Sequence, residues 1–172
     1  FTEFDLVAHA MGASVACELL HRLETSQTAL QLRSLTILNA GIYMDMHQPL
    51  PTQRLLRTPV LGALTARLSS YRVFRHQYPR VYAETQDFYE QLYQQKWSLL
   101  QNNDGRRVLA KIAGYMKERE RRGEQWLGPL RRASLPLQLI WGRRDPIAVH
   151  AIAEKICTQN TGASLLTLDD VA

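Results

Sequence analysis

The feature that most constrains the fold is a short apolar strand that runs through a turn of small residues directly into a helix. The stretch FDLVAHAMGASVACELL, residues 4–20, has this form. Its first residues are too few and too apolar for an amphipathic helix, and they predict a buried strand over Phe4–Ala8. Apolar residues then recur at helical spacing, which predicts a helix over Met11–Leu23. A strand that leads through a tight turn into a helix is typical of α/β proteins.

Three further strands extend this pattern. The segments SLTILN, LQLIW and SLLTL predict strands over Ser34–Asn39, Leu137–Trp141 and Ser164–Leu168. A helix is predicted between the last two, over Ala148–Cys157. Strand–helix–strand order with short connections implies parallel pairing and a right-handed crossover. The sequence therefore predicts an α/β fold, with a buried parallel sheet and flanking helices.

The segment between the second and third strands has a different composition, because it lacks short apolar strands. We predict three helices in it, with apolar faces formed by Leu61, Leu64 and Leu68, by Tyr89, Tyr93, Trp97 and Leu100, and by Leu109, Ile112 and Met116. Ligands of open α/β sheets bind at the carboxyl edge of the sheet, and the inserted helices are predicted to cap that edge. The predicted domains are a core over 1–42 and 135–172 and a helical cap over 43–134.

The formal net charge is +5, and residues 106–132 hold nine basic side chains against three acidic ones. A surface for nucleic acid or an anionic membrane is one interpretation. Glutamates alternate with the arginines in KERERRGEQW, and no aromatic stacking platform accompanies them, so a solvated helix face is favoured and no nucleic-acid partner is expected. No run of about 18 apolar residues is present, so stable membrane insertion is not expected either.

Cysteine and glycine usage predicts neither cross-links nor cofactors. Cys17 and Cys157 are the only cysteines, and both occupy apolar helix positions. They predict buried thiols in a reducing compartment, and we expect a cytoplasmic protein. The sequence has no clustered Cys and His spacing and no glycine-rich phosphate loop, so no metal and no cofactor are predicted. The oligomeric state is left open.

The turn AHAMGA has the form of a nucleophile elbow with Ala10 at its apex. An elbow forces the apex backbone into a strained conformation, so the flanking Ala8 and Gly12 or Ala13 must be small. The helix that follows directs its first amides at negative charge above the apex, and the Met11 N–H would be one oxyanion donor. Ala10 carries a methyl group, which cannot form an ester intermediate.

The segment WGRRDP places Asp145 in the loop after the third strand, where a carboxylate that orients a catalytic histidine belongs. Alone, Asp145 is more readily interpreted as a loop residue before a helix. Together with the preceding elbow, the role of triad acid is favoured. The histidine should follow the fourth strand, but none of the five histidines does. Asp169 and Asp170 stand there instead, and we expect them to be solvated or turn-forming.

The chain resembles α/β-hydrolase-fold proteins in LVAHAMGA and WGRRDP. Within that fold it resembles the mesoderm-specific transcript group, neighbours of the epoxide hydrolases and haloalkane dehalogenases, in SLTILNAGIY, LLQNNDGRRVL, QWLGPLRRASLPLQLIWGRRDPI and LTLDDVA. The resemblance covers nearly the whole chain. It implies the C-terminal two-thirds of an α/β-hydrolase fold with a helical cap. The base histidine would then lie beyond Ala172, and the early strands would precede Phe1.

The resemblance also implies roles for individual residues. Ala10 takes the nucleophile position, Met11 supplies an oxyanion-hole N–H and Asp145 is the triad acid. Asn39 and Trp141, at strand ends, are expected to line the substrate pocket. The resemblance assigns no metal or cofactor to these positions.

The implied activity is hydrolysis of a small molecule through a covalent ester on the apex residue. An aspartate at the apex would imply epoxide or haloalkane substrates, and a serine would imply carboxylic esters. The subgroup resemblance favours aspartate slightly. With Ala10 in place the chain is predicted to be inactive. The alternative is a ligand-binding protein that retains the fold without catalysis.

Two further expectations concern the cap and the sheet edge. The cap is rich in aromatic residues, namely Tyr71, Tyr78, Tyr82, Tyr89, Tyr93 and Trp97. A cap tyrosine binds the epoxide oxygen in the epoxide hydrolases that this chain resembles, but a packing role is favoured for each of these residues. The elbow strand is expected to have a neighbour on one side only, so we predict that the isolated chain folds poorly or aggregates.

Overall fold

Four parallel strands form one sheet whose spatial order follows the chain. The computed structural model describes residues 2–82 and 90–172. The strands are β1 (Glu3–His9), β2 (Gln31–Leu38), β3 (Leu137–Gly142) and β4 (Ala163–Leu168), and each pairs with the next in parallel. The predicted α/β class and all four predicted strands are confirmed. The observed strands extend beyond the predicted ones by up to three residues, except that β2 ends at Leu38, one residue before its predicted end.

Helices connect the strands. Helix α1 (Gly12–Glu24) joins β1 to β2, and α9 (Ala151–Gln159) joins β3 to β4. The described part of the connection between β2 and β3 contains α2 (Pro51–Leu56), α3 (Pro59–Leu68), α4 (Tyr71–Gln77), α5 (Glu90–Gln101), α6 (Leu109–Ala113), α7 (Tyr115–Arg121) and α8 (Gly123–Arg132). Short 3-10 turns cover Tyr78–Val81 and Asn102–Val108.

The chain divides into two compact units. The sheet unit comprises Phe1–Gln48 and Glu118–Ala172, and the helical unit comprises Pro49–Lys117. Helix α8 lies in the sheet unit because it packs on α1. The indole N–H of Trp126 donates to Glu18 at 2.8 Å, and Arg132 forms a bidentate pair with Glu24 at 2.9 Å. The compact helical unit is therefore shorter than the helical cap predicted over residues 43–134.

The core of the sheet unit lies on the two central strands and the helices beside them. Leu35, Ile37 and Leu139 have no exposed surface. Small residues of α1 allow that helix to approach the sheet closely, and α9 contributes branched aliphatic residues; the fully or nearly fully buried ones are Ala13, Ala16, Cys17, Ile152, Ala153 and Ile156. Burial of each large aliphatic side chain contributes about 1.5–3 kcal/mol.

Strand β1 lies at the edge of the sheet. Among the described residues it pairs with β2 alone, and Val7 is 69% exposed. Ala8 is the one residue of β1 that is buried. The strand predicted over Phe4–Ala8 is confirmed, and only its predicted burial is wrong, because an edge strand that lacks a neighbour leaves alternate side chains in solvent.

Two helices differ from their predictions for local reasons. The predicted third helix of the insert is divided at Gly114 into α6 and α7. The 3-10 turn before it contains Asn103 and Asp104 in left-handed backbone conformations, with φ of 49° and 58°. Asparagine and aspartate tolerate that conformation better than other side chains. The second predicted helix is observed as α5, but Tyr89, with which we began it, lies outside the described residues.

The predicted helix over Ala148–Cys157 begins at Ala151 instead. The carboxylate Oδ1 of Asp145 accepts hydrogen bonds from the amides of Ile147 and Ala148, both at 2.8 Å. These bonds fold the residues before α9 into a turn, as aspartate side chains commonly do.

In residues 2–82 and 90–172, no helix combines the length and the apolar character that crossing a membrane requires.

Candidate active site

The carboxyl ends of the four strands meet at one edge of the sheet, because all four run in parallel. They end at His9, Leu38, Gly142 and Leu168. The residues that follow them include the predicted site residues Ala10, Asn39 and Asp145. Parallel pairing thus brings together side chains that lie up to 135 positions apart in the chain, between Ala10 and Asp145. This is the edge at which open α/β sheets bind ligands.

Ala10 has a left-handed backbone, with φ of 52°. Its amide donates to the carbonyl of Leu38 at 3.2 Å, and its carbonyl accepts from Ala13 at 3.4 Å. The residue itself is exposed. A non-glycine residue in this conformation carries about 1–2 kcal/mol of strain. Strain of this kind occurs often at functional sites, where the surrounding structure holds it in place.

The residues that flank the apex are small for different reasons. Ala8 and Ala13 are 4% and 0% exposed, so a larger side chain at either position would meet the core. A Cβ atom at Gly12 would have no described atom within 4 Å. Smallness is therefore required of Ala8 and Ala13, whereas Gly12 has room for a side chain.

Met11 lies at the N-cap of α1, with φ of −66°, and the residue is 48% exposed. The first amides of a helix have no carbonyl partner within that helix. The Met11 N–H therefore belongs to the group of amides at the positive end of α1. Its role as an oxyanion donor stays a prediction.

Asn39 and Asp145 are bonded to each other. Asn39 Nδ2 donates to Asp145 Oδ2 at 2.5 Å, and Asn39 Oδ1 accepts from the amide of Gly142 at 3.1 Å. Asn39 has a left-handed backbone, with φ of 34°, and its side chain bonds to the end of β3 and the loop after it. The side-chain amide of Asn39 thus links the end of β2 to that loop. The place of Asn39 in the pocket lining stays a prediction. The Asp145 carboxylate is fixed in orientation, as its predicted role of triad acid requires.

Trp141 is a core residue. Its side chain has no exposed surface, and its indole N–H donates to the carbonyl of Ala148 at 2.6 Å. Leu137 and Leu139 on the same strand are equally buried, since side chains two positions apart point to the same face of a strand. Trp141 is therefore part of the core of the sheet unit, and its predicted place in the pocket lining stays a prediction.

Asp169 and Asp170 form exposed ion pairs with the two arginines of the Asp145 loop. Arg143 Nε lies 2.6 Å from Asp169, and Arg144 lies 2.9 Å from Asp170. Solvent screens such pairs, so each contributes about 0–1 kcal/mol. They are nevertheless specific contacts between the end of β4 and the loop that holds Asp145.

Arg119 is a buried residue of the site that the sequence analysis missed. It is 3% exposed, and its guanidinium donates to the Ser14 hydroxyl, the Gly41 carbonyl and the Ala10 carbonyl. The interpretation of KERERRGEQW as a solvated face is therefore wrong for Arg119. The sequence does contain one indication, because Arg119 follows the buried Ala113 and Met116 at three-residue spacing.

Other arginines of the basic stretch pair with glutamates. Arg121 and Arg122 contact Glu118, at 2.7 and 3.2 Å. Arg131 also pairs with Glu124. These pairs give the exposed face of α7 and α8 an alternating charge.

The thiols do not resemble reactive cysteines. Cys17 is 1% exposed, and burial raises the pKa of its thiol to about 12, although the Arg119 charge opposes this effect. Cys157 is half-buried, and burial raises its pKa as well. Neither forms a disulfide. Raised pKa values leave both thiols protonated at neutral pH and therefore weakly nucleophilic.

The helical unit contains an apolar cavity of about 270 Å³ that is open to solvent on one side. Phe74, Tyr78 and Trp97 form its aromatic wall, with ring centroids of Phe74 4.6 Å from Tyr78 and 5.5 Å from Trp97. Aliphatic side chains complete the lining, among them Leu50, Leu56, Leu100 and Leu109. The aromatic residues predicted for this segment thus pack on one another, with Tyr89 outside the described residues.

One tyrosine of this wall has a cationic neighbour. Lys96 Nζ donates to the hydroxyl of Tyr78 at 2.6 Å and to that of Tyr82 at 3.2 Å. Burial raises the pKa of Tyr78, and the hydrogen bond from Lys96 opposes that rise.

In the described ranges, no group of three or more His, Cys, Asp and Glu side chains is arranged to hold a metal ion.

Known proteins with similar sequences include hydrolases. No family model matches the sequence. The chain is 31% identical over 163 residues to the Mycobacterium tuberculosis protein described as "Putative hydrolase LipZ", which covers 95% of this chain and 56% of that protein. It is 32% identical over 145 residues to the mesoderm-specific transcript protein of Mus musculus, with 83% of this chain and 43% of that protein covered. The chain thus spans about half the length of these curated relatives.

The fold has relatives among solved structures. An esterase from Thermogutta terrifontis superposes with a TM-score of 0.68 at 16% identity, covering 99% of this chain and 57% of the esterase. That likeness concerns the fold alone. The predicted resemblance to the mesoderm-specific transcript group is confirmed by sequence, and the predicted architecture is confirmed by structure. Sequence and fold agree: the chain has the α/β-hydrolase fold and is similar in sequence to a protein described as a hydrolase.

Proposed function

We propose that this chain carries the nucleophile elbow and acid loop of a hydrolase that acts through a covalent ester on residue 10, and that it is inactive with Ala10 in that position. The observation that carries the proposal is the left-handed backbone of Ala10, at an exposed turn on the carboxyl edge of the sheet. This conformation is costly for alanine, and it is the one that displays a nucleophile in an elbow.

The proposed chemistry assigns one task to each group. A nucleophile at position 10 attacks an electrophilic carbon of the substrate and forms an ester, while the leaving group departs or a strained ring opens. The Met11 N–H and the N-terminus of α1 stabilise the negative charge that develops on oxygen. Asp145 orients the histidine that activates water to hydrolyse the ester. The family resemblance assigns that histidine to a position after β4.

The substrate class depends on the nucleophile that the scaffold suits. An aspartate at residue 10 would attack epoxides or halogenated carbons, and a serine would attack carboxylic esters. We propose the aspartate type, because the motifs of this chain resemble the neighbours of the epoxide hydrolases and haloalkane dehalogenases. A small-molecule substrate is part of the proposal in either case.

The test compares Ala10→Asp with Ala10→Ser in the full chain. Styrene oxide and p-nitrophenyl butyrate are offered to each variant, and diol, p-nitrophenolate and covalent adducts are measured. We expect the aspartate variant to form an adduct or diol from the epoxide, and the parent chain to form neither. Release of p-nitrophenolate by the serine variant alone would assign the site to esters instead. Product formation by the parent chain would refute the proposed inactivity.

A second function, ligand binding without cleavage, is favoured by the apolar cavity of the helical unit. A cavity of about 270 Å³ with aromatic walls suits a small aromatic hydrocarbon. Calorimetric titration with naphthalene tests this. We expect binding by the parent chain, loss of binding in Leu100→Trp, which fills the cavity, and retained binding in Leu99→Trp, whose side chain is 72% exposed. Absence of heat with the parent chain at two well-separated temperatures would exclude this function, since apolar burial has a negative heat capacity change and cannot be free of heat at both.

A further inference from the structure

Arg119 joins three segments of the sheet unit around the apex turn. Its Nε lies 2.6 Å from the Ser14 hydroxyl on α1, its Nη1 lies 2.7 Å from the carbonyl of Gly41 after β2, and its Nη2 lies 3.0 Å from the carbonyl of Ala10. Ser14 and Arg119 are 5% and 3% exposed. The guanidinium therefore donates to the apex residue itself and to the two elements that support it.

Such an arrangement is specific to arginine. Burial of a charged group is costly unless its hydrogen-bonding capacity is used. The planar guanidinium presents its donors in a fixed fork, so three acceptors bound at once fix the positions of those acceptors relative to one another. Lysine retains the charge but has no fork, and methionine retains much of the volume but has neither. Comparison of arginine, lysine and methionine at position 119 therefore separates the effect of the charge from the effect of the hydrogen-bond geometry.

The position of the charge favours an anion at the apex. The Arg119 guanidinium donates to the carbonyl of residue 10, which precedes the positive N-terminal end of α1. Both fields have the same sign, and burial of Arg119 reduces the solvent screening around its charge. The Arg119 charge also acts on the nearby Cys17, where it opposes the increase in thiol pKa that burial causes.

We propose that Arg119 is a positioning residue of the elbow, which holds the Ala10 peptide in its left-handed conformation and stabilises negative charge on the side chain at position 10. This inference deepens the proposed function, because it rests on residue 10 as the nucleophile position. Its test requires no catalysis, so the two proposals fail separately.

A thiol installed at the apex reports both effects. Ala10→Cys is made together with Cys157→Ser, while Cys17 stays protonated below a pKa of about 12. The rate of alkylation by iodoacetamide is measured from pH 6 to 10, which gives the pKa of the introduced thiol and the rate constant of its thiolate. None of the variants in the series mutates the other titratable groups at this edge, which are His9 on β1, Arg143, Arg144 and Asp145 after β3, and Asp169 and Asp170 after β4.

We expect the introduced thiol to have a pKa below the ordinary value of about 8.5. Arg119→Met should raise that pKa by about one, because the adjacent cation is lost. Arg119→Lys should leave the pKa low and change the thiolate rate constant about threefold or more, because the fork is lost. Arg121→Met and Arg121→Lys are the matched controls, since Arg121 is 67% exposed and pairs with Glu118 at the surface. Neither control should alter either quantity.

Equal pKa values and equal rate constants in the Arg119 and Arg121 variants would overturn the proposal. Circular dichroism checks folding, and if Arg119→Met does not fold, Arg119→Lys decides. Its thiolate rate constant then either differs from that of Arg121→Lys, which supports positioning, or matches it, which refutes positioning. A response of the thiol to Arg119 without any ester on the aspartate or serine variants would leave this inference standing and refute the hydrolase function.

Discussion

At the scale of a single residue, Ala10 combines a high conformational cost with an exposed position. The left-handed region costs alanine about 1–2 kcal/mol, and glycine occupies it freely. We expect Ala10→Gly to raise the free energy of unfolding by about 0.5–1 kcal/mol, since the greater freedom of glycine in the unfolded chain offsets part of the gain. Urea denaturation measures this change.

The control for this prediction is Ala29→Gly. Ala29 is exposed in the connection between α1 and β2 and does not have a positive φ. Ala29→Gly should therefore lower the free energy of unfolding slightly or leave it unchanged. Equal destabilisation of both variants would contradict a strained apex.

Asp145 is a residue whose two carboxylate oxygens are both used. It accepts from Ile147, Ala148 and Asn39, and an amide in its place would present a donor to one of these donors. We expect Asp145→Asn to lower the free energy of unfolding by about 1–3 kcal/mol. Asp169→Asn, at an exposed ion pair, should cost less than about 1 kcal/mol. Urea denaturation measures both losses. Similar losses in the two variants would show that the hydrogen bonds of Asp145 contribute no more to stability than an exposed ion pair.

At the scale of elements, the sequence predicts those strands and helices that are determined by interactions between residues close together in the chain. All four strands follow from short apolar runs, and α1 follows from its 3.6-residue periodicity. The role of Arg119 could not be predicted in the same way, because its partners on Ser14, Gly41 and Ala10 come from distant parts of the chain. The start of α9 was also missed, since it depends on which amides the Asp145 side chain accepts from.

Strand β1 is the element most exposed to self-association. Its open edge and the 69% exposure of Val7 leave backbone groups and apolar surface available to another chain. We expect Val7→Lys to reduce association of the isolated chain, because a charge on an edge strand opposes strand pairing between molecules. Light scattering at several concentrations measures the effect.

Val15→Lys is the matched control for the edge, because Val15 is 65% exposed on α1 and the added charge is the same. It should reduce association less than Val7→Lys does. A monodisperse monomer of the parent chain would refute the predicted association altogether.

At the scale of the whole molecule, ion pairs link stability to pH. Hydrogen bonds from Trp126 and Arg22 lower the pKa of Glu18, Arg132 lowers the pKa of Glu24, and Arg121 and Arg122 lower the pKa of Glu118, each from an ordinary value of 4.5. A carboxyl with a lowered pKa in the folded state contributes stability that is present above its unfolded value and is lost as pH falls through the folded value.

We therefore expect the free energy of unfolding to decrease as pH falls below about 4.5, with a shallower decrease in 0.5 M NaCl, because salt screens these exposed pairs. Urea denaturation between pH 3 and pH 6 measures both slopes. A free energy of unfolding that is constant over this range would contradict the account of these pairs.

The central claim is that residue 10 occupies the position of a hydrolase nucleophile. Mass spectrometry of the Ala10→Asp variant after incubation with 1-bromobutane tests it most directly, with Ala29→Asp as the control. The carboxylate at the apex would displace bromide and form a butyl ester, which persists where no histidine activates water. The account predicts one butyl group on the peptide that contains residue 10 and none on that of residue 29. Equal or absent labelling of the two peptides would contradict it.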